Sequence, residues 1–150
     1  MSAVTSLKYR SLTITSEVTK RTIDLTNAIV FCDYYEDILS PSVMMTIQCA
    51  ATYSIYNGLP IRGGERVDVD IQTASGDFKL DGQYSMYVYK VSGITSDGAK
   101  EFFTLHLCSR EGLTNETARV QKKFNKRSIN EHVESILKDV LKTNKFKSTN

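Results

Sequence analysis

The chain has 150 residues, of which 41% are hydrophobic and 24% are charged, so it can bury a core as one globular domain without disulfides or metals. No apolar run is long enough for a membrane span, and the first residues lack a basic region followed by an apolar core, so neither membrane insertion nor a secretory signal is predicted. The three Cys residues are an odd number and lie far apart, so we expect buried free thiols.

The net charge of +2 hides an uneven distribution along the chain. Residues 1–116 carry ten basic and fourteen acidic side chains, a net charge of −4, whereas residues 117–150 carry nine basic and three acidic ones, a net charge of +6. The basic end is either a solvated surface or a contact with the acidic body of a neighbouring copy.

Alternating apolar and polar residues predict strands from the start of the chain. Residues 1–27 form an N-terminal arm with weak strands, in which Leu12 and Ile14 alternate with threonines, and residues 28–109 supply the core strands. The apolar run 28–35 ends in an acidic turn before Pro41, and Met45, Ile47 and Cys49 then share one face of the next strand. Residues 51–59 are expected to form a polar and aromatic link with a short helical turn.

The stretch 59–71 combines a chain reversal with the clearest strand. Pro60 restricts the backbone, and Gly63 and Gly64 can adopt angles closed to other residues. The strand that follows has a buried face and a wet, acidic face. The buried positions are Val67, Val69 and Ile71, and the wet ones are Asp68, Asp70 and Gln72. A phosphate-binding loop is disfavoured because its lysine and following helix are both missing.

Two further strand runs follow in residues 77–91, with a turn signal at Asp81-Gly82. Asp97-Gly98 predicts a hairpin, and the returning strand 101–109 places Phe103, Leu105 and Leu107 on one face.

The period then changes from two residues to that of a helix. Residues 110–127 show no clear periodicity and are predicted to be a loop. A capping box at Ser128 opens a predicted amphipathic helix over 128–143, followed by a frayed tail at 144–150. The fold class is therefore mainly β (α+β): a single domain with an antiparallel barrel or sandwich and one C-terminal helix covering an open side or end.

Residues that could carry chemistry are few, and no catalytic, cofactor or metal site is predicted. His106 and Cys108 share a face but lack the paired spacing of a zinc site, so a structural role is favoured for His106. Asp33, Glu36 and Asp37 are adjacent on a turn, which favours a solvated loop or a docking edge over a glycosidase pair.

The basic segment, residues 119–127, has three interpretations. Its charged members and one aromatic residue are Arg119, Lys122, Lys123, Phe124, Lys126 and Arg127. They favour a solvated loop or a contact with an acidic neighbouring subunit over a nucleic-acid site, because neither the charge nor the aromatic content is extreme.

Three groups of residues resemble a known family. They are Tyr35-Glu36-Asp37-Ile38 with Ser40-Pro41; Leu59-Pro60-Ile61 with Gly63-Gly64-Glu65-Arg66-Val67; and Ser109-Arg110-Glu111 with Leu113 and Asn115, followed by Val120, Lys122, Phe124 and the helix at Ser128-Ile129. In order and spacing, over about two-thirds of the chain, they resemble baseplate hub proteins of contractile-tailed bacteriophages.

The resemblance implies a tail-tube-like β-barrel without catalytic residues. Such domains form a ring that continues the tail tube, and the hub, typically a trimer with two such domains per chain, binds the tube above and the spike below. The expected partners are other copies, the tail tube protein, the spike protein and other baseplate proteins, with DNA only as passing cargo, in the virion. Hub chains usually run on into further domains, whereas this sequence stops after the helix, which leaves threefold or sixfold symmetry open.

Within this hypothesis, two sets of residues are candidates for function. The docking candidates are Glu36, Asp37, Arg62, Glu65, Arg66, Arg119, Lys122 and Lys123, and the lumen candidates are Asp68, Asp70 and Gln72. The alternatives are a β-barrel module or enzyme that binds a small ligand, and a weak nucleic-acid-binding module.

Overall fold

The computed structural model describes residues 7–40, 42–52, 61–121, 123, 125 and 128–146. The described residues form one antiparallel sheet of eight strands and two short α-helices. The strands are β1 (Lys8–Thr15), β2 (Thr22–Asp24), β3 (Ile29–Tyr35), β4 (Met44–Ala51), β5 (Arg66–Thr73), β6 (Gly76–Leu80), β7 (Met86–Asp97) and β8 (Lys100–Ser109). The helices are α1 (Arg110–Thr117) and α2 (Ile129–Ser135), and α2 continues into a π-helical turn (Ile136–Val140). The mainly β fold class is therefore confirmed.

The sheet has the strand order β2-β1-β5-β7-β8-β4-β3, with β6 paired to β5 beside this path. β1 pairs along one side of β5. On the other side, β6 pairs with Val69 to Thr73, whereas β7 pairs with Arg66 and Val67. β6 and β7 therefore follow one another along the same side of β5.

One hydrophobic core draws on nearly every strand of the sheet. Its fully buried members include Leu12, Ile14, Met45, Ile47, Val67, Val88, Leu105 and Leu107. Neither helix nor the π-helical turn contributes a buried residue, so the sheet must cover its own inner face. The rings of Tyr34 in β3 and Phe78 in β6 lie 4.8 Å apart between centroids, although several strands separate them in the sheet order. Since neighbouring strands are about 4.8 Å apart, the sheet is rolled around the core.

The predicted alternation is confirmed where one strand face packs on the core. Val67, Val69 and Ile71 are buried in β5, as are Phe103, Leu105 and Leu107 in β8. The hairpin predicted at Asp97-Gly98 is present as well, because Asp97 pairs with Lys100 across a two-residue turn. Gly98 has a φ of +56°, which favours glycine. The turn signal at Asp81-Gly82 corresponds to a 3-10 turn (Gly82–Tyr84) between β6 and β7.

The prediction of a loop over 110–127 is wrong in its first half, where α1 forms. Gly112 is a poor helix former, which hides the helix in the sequence. A Cβ at this position would lie 3.0 Å from the Ser42 Cβ and 3.5 Å from the Cys108 Cβ. The glycine therefore lets α1 approach the sheet closely, and that packing decides the local structure.

The C-terminal helix begins as predicted but ends early and does not cover the sheet. The Ser128 backbone N–H donates to Glu131 Oε2 at 2.8 Å, which completes a capping box. The α-helix ends at Ser135, and Ile129 at its start is 78% exposed. The prediction that this helix covers an open side or end of the sheet is therefore wrong for α2. The rolled sheet already buries its own inner face, and the capping box stabilises the helix locally.

The tail beyond the helix is only partly described. Residues 144–146 were expected to fray, but Lys145 is half-buried and its Nζ lies 3.1 Å from Glu111 Oε2. Pro41, the helical turn predicted within 53–59, Pro60, Lys122, Phe124 and residues 147–150 lie outside the described residues.

Candidate subunit interface

β3 forms an open edge of the sheet. It pairs with β4 on one side, and in the described part of the chain no strand pairs with its other side. The strand is seven residues long and exposes apolar side chains, of which Val30 is 62% exposed and Phe31 and Tyr35 are also exposed. A long apolar edge with unpaired backbone groups is a ready template for pairing with another chain.

The turn that follows β3 presents two aliphatic side chains to solvent. The Ser40 N–H donates to the Asp37 carbonyl oxygen at 3.0 Å, and the Leu39 N–H donates to Asp37 Oδ1 at 2.9 Å. These bonds hold Ile38 and Leu39 at the outer corner, where they are 98% and 89% exposed. We call Ile38 and Leu39 the apolar tip. Its neighbours Glu36 and Asp37 are both exposed, as a docking role requires.

β2, the edge strand at the other end of the sheet, offers less to a further strand than β3 does. It has three residues. Beyond it, the Leu12 N–H donates to Thr26 Oγ1 at 2.9 Å and the Leu25 N–H donates to the Leu12 carbonyl oxygen at 2.7 Å. The chain therefore folds back over the free part of β1 and satisfies backbone groups that another chain could have used.

Glu65 is not available for docking, which corrects its place among the candidates. It is 5% exposed, and its carboxylate accepts hydrogen bonds from the backbone N–H groups of Arg62 at 2.8 Å and Gly63 at 3.0 Å. The same loop is tied to β7, since the Gly64 N–H donates to the Val88 carbonyl oxygen at 2.7 Å. Glu65 therefore holds the loop together, whereas the Arg62 side chain stays exposed.

The lumen candidates lie on a polar face, but its charge is balanced rather than acidic. Arg66 Nε lies 3.2 Å from Asp68 Oδ2, and the Ser85 hydroxyl also donates to Asp68. Arg10 Nη1 lies 3.7 Å from Asp70 Oδ1. The expected acidic face is thus wrong in its charge, because arginines from β1 and β5 pair with the carboxylates; Arg66, a docking candidate, is engaged in one of these pairs. Gln72 is exposed at the end of the same row.

The described part of the basic segment is irregular and exposed. Arg119 and Lys123 are exposed, and the apolar Val120 beside them is 48% exposed. The segment therefore presents positive charge and apolar surface together.

A groove of about 700 Å³ lies between the β3–β4 turn, α1 and the C-terminal segment. Val43, Leu80 and Met86 contribute apolar surface, and Glu111 and Lys145 form an ion pair at its side. Burial acts to raise the pKa of the Glu111 carboxyl, but hydrogen bonds, including those from Thr143 and Lys145, outweigh it and leave this pKa below its usual range. The groove offers apolar surface on which a small apolar ligand could bind.

The histidine and cysteines occupy structural positions. His106 Nε2 lies 2.8 Å from the Ser92 hydroxyl oxygen across the β7–β8 ladder. Burial raises the pKa of Cys32 to about 11 and that of Cys49 to about 12, so both thiols are neutral at physiological pH. Among the described residues, no group of His, Cys, Asp or Glu side chains is placed to hold a metal ion.

The sequence indicated the acidic turn but missed its apolar tip. The signal was present, because Ile38 and Leu39 follow two acidic residues and immediately precede Ser40-Pro41, where no regular element can bury them. The structure puts Glu36 and Asp37 next to this tip, whereas Arg62 and Arg66 lie at the start of β5 and Arg119 and Lys123 follow α1. Lys122 lies outside the described residues.

Comparison with models of known protein families and with curated protein sequences gives no significant match. In the part of the chain that the structure describes, no helix is both long and apolar enough to cross a membrane.

Proposed function

We propose that the chain is a structural component of a phage tail baseplate hub, where copies form part of a ring that continues the tail tube and connects it to the spike. The observation that carries the proposal is the contrast between the short β2 edge and the long, apolar β3 edge. The sequence motifs supply the particular setting: the virion, with tail tube, spike and other baseplate proteins as neighbours. No catalytic role is part of this proposal.

The β3 edge supports assembly because a further strand would pair with its free backbone groups. Such pairing gives affinity through main-chain hydrogen bonds and specificity through neighbouring side chains. Val30, Phe31 and Tyr35 would then lose solvent contact, so burial of apolar surface adds to the hydrogen bonds.

In this proposal the polar face of β5 lines the channel. Asp68 lies 3.2 Å from Arg66, and Arg10 lies 2.8 Å from Asp77 and 3.7 Å from Asp70, so these arginines are less available to bind DNA phosphates. Asp68→Asn together with Asp70→Asn and Asp77→Asn would remove these carboxylates and free both guanidinium groups. We expect this variant to retain DNA on a filter in low salt and to release it as salt rises, whereas Asp97→Asn, on the exposed hairpin, should behave like the wild type. Equal DNA retention by all three proteins would contradict a lumen role for this face.

The direct test is the assembly state of the purified chain. Size-exclusion chromatography with light scattering over a concentration series, followed by negative-stain electron microscopy, should show rings or stacked rings as concentration rises. Single molecules at every concentration would contradict the proposal.

The groove favours one other function, a module that binds a small apolar ligand. This alternative predicts a monomer that binds a fluorescent apolar probe such as anilinonaphthalene sulfonate at one saturable site. Val43→Gln and Leu137→Gln, which place polar groups in the partly exposed groove lining, should each weaken probe binding, whereas Val18→Gln at a distant exposed turn should not. Assembly without saturable probe binding would exclude the ligand-binding function.

A further inference from the structure

We propose that the apolar tip of one copy docks against Arg119, Val120 and Lys123, in the described part of the basic segment, of a neighbouring copy and so gives the ring its head-to-tail direction. This inference rests on the proposed function, and it names the partner surface for Glu36, Arg119 and Lys123.

The first step is that none of the described residues of the same chain covers the tip. Ile38 and Leu39 are nearly fully exposed, and two hydrogen bonds to Asp37 hold the turn that displays them. Because the turn is held in this way, the backbone that carries both side chains is fixed. A pre-organised turn loses little backbone freedom when a partner covers it.

The second step is that the surroundings of the tip select a basic partner. Glu36 and Asp37 immediately precede the tip, and both are exposed. In the described residues, the basic segment offers the matching surface, since Arg119 and Lys123 flank the exposed Val120. Opposite charges around an apolar contact speed association and fix its register, while the apolar burial holds the partners together.

The third step is that the two surfaces are different. When a single contact of this kind joins two copies, it is heterologous, so repetition around an axis produces a closed ring or an open helix. The charge asymmetry of the chain, −4 over residues 1–116 and +6 over residues 117–150, favours the same head-to-tail arrangement.

Charge exchange tests the contact, because each copy carries both surfaces. Glu36→Lys and Lys123→Glu should each raise the concentration needed for half-assembly roughly tenfold, and the double variant should recover most of the loss. Asp97→Lys, at an exposed acidic position on the β7–β8 hairpin, is the matched control and should assemble like the wild type. Failure of the double variant to recover, or equal losses in the control, would overturn the contact.

A photo-crosslinking amino acid at position 39 tests the geometry independently of stability. In a mixture of light and ¹⁵N-labelled copies, the intermolecular crosslink should join position 39 to the peptide containing residues 119–123. Crosslinks elsewhere in an assembled protein would overturn the docking contact and leave the ring function standing. A wild-type chain that stays monomeric would overturn both.

The tip itself is tested by Ile38→Ser with Leu39→Ser. This double variant should weaken assembly at least tenfold, whereas Val18→Ser, at a 92% exposed position on another turn, should have no effect. Unchanged assembly of the tip variant in a folded protein, shown by an unaltered circular dichroism melt, would also overturn the contact.

Discussion

The two edges of the sheet differ in length, composition and use of their backbone groups. β2 has three residues, and the segment after it returns to hydrogen-bond with Leu12 in β1. β3 has seven residues, exposes Val30, Phe31 and Tyr35, and leads into the apolar tip. Natural sheets usually protect both edges against pairing with other chains. Of the two ends of the strand order, β3 is therefore the one better suited to pair with another chain, as a repeating wall segment requires.

The strand next to each edge strand contributes an isoleucine that is buried to the same extent. Substituting these isoleucines should give the largest effect on stability. Ile47 in β4 supports β3, Ile14 in β1 supports β2, and both side chains are 0% exposed. Ile47→Ala and Ile14→Ala should each lower the free energy of unfolding by about 3 kcal/mol, because each leaves a cavity in one core. Urea unfolding measures both, with Val30→Ala as a surface control expected to change it by less than about 0.5 kcal/mol. Very unequal losses would show that the edges differ in support rather than in exposure.

A lysine placed on each edge strand tests directly whether β3 and β2 differ in their role in assembly. Val30→Lys places a charge on the open edge and should raise the concentration for half-assembly about thirtyfold, because a new strand would have to desolvate the ammonium group. Thr22→Lys places the same charge on exposed β2 and should leave assembly unchanged. Light scattering over a concentration series distinguishes the two. An equal response at both edges would contradict the assignment of β3 as the assembling edge.

Removing one hydroxyl tests how the backbone of β1 is satisfied beyond its pairing with β2. Thr26→Val keeps the side-chain shape but removes the acceptor for the N–H of Leu12, a fully buried residue. The free energy of unfolding should fall by about 1–2 kcal/mol, because a buried donor loses its partner. Thr26→Ser retains the hydroxyl and should recover most of this loss in the same urea titration. No difference between the valine and serine variants would exclude a role for this hydrogen bond.

Two buried thiols on the β3–β4 side of the sheet should make the stability of the protein depend on pH in alkaline solution. Cys32 in β3 and Cys49 in β4 have pKa values of about 11 and about 12, above the ordinary value of 9.0, because burial disfavours the thiolate. Above pH 9 the unfolded chain therefore releases these protons while the folded chain retains them, so their contribution to stability is complete below pH 9 and is lost as pH rises towards 11. At pH 10 each thiol should lower the free energy of unfolding by about 1 kcal/mol.

The double variant Cys32→Ala/Cys49→Ala isolates this effect from tyrosine and lysine titration. Its unfolding free energy should fall less steeply between pH 8.5 and 10.5 than that of the wild type. Parallel curves for the two proteins would contradict the burial of the thiols.

Periodicity predicted the fold best where a strand has one buried face. Val67, Val69 and Ile71 show a period of two that only a half-buried strand explains. The same reasoning missed α1, since Gly112 argues against a helix until its packing beside Ser42 and Cys108 is known. Periodicity also predicted a last helix that was too long and that packed on the sheet. An apolar stripe indicates a partner surface, but it does not show whether the sheet already covers its own core.

Charge was the least predictable property of the candidate site. Asp68 and Asp70 form an acidic row in the sequence, but Arg10, far away along the chain, lies beside Asp70 in the folded sheet. Glu65 was grouped with exposed docking residues, although its short distance from two loop amides makes it an internal support. Such assignments depend on which strands become neighbours, and a single sequence does not reveal this. The exposed Glu36 and Asp37, which stay close to their local turn, were predicted correctly as surface residues.

The β7–β8 hairpin extends beyond the core, since residues 93–100 are all exposed while their backbones stay paired up to Asp97 and Lys100. Its outermost turn therefore carries none of the packing on which the rest of the molecule depends. An epitope or a small fluorescent reporter placed between Gly98 and Ala99 would leave β3 and the apolar tip unaltered in sequence. The hairpin thus provides a handle by which single copies can be labelled, counted and followed during assembly.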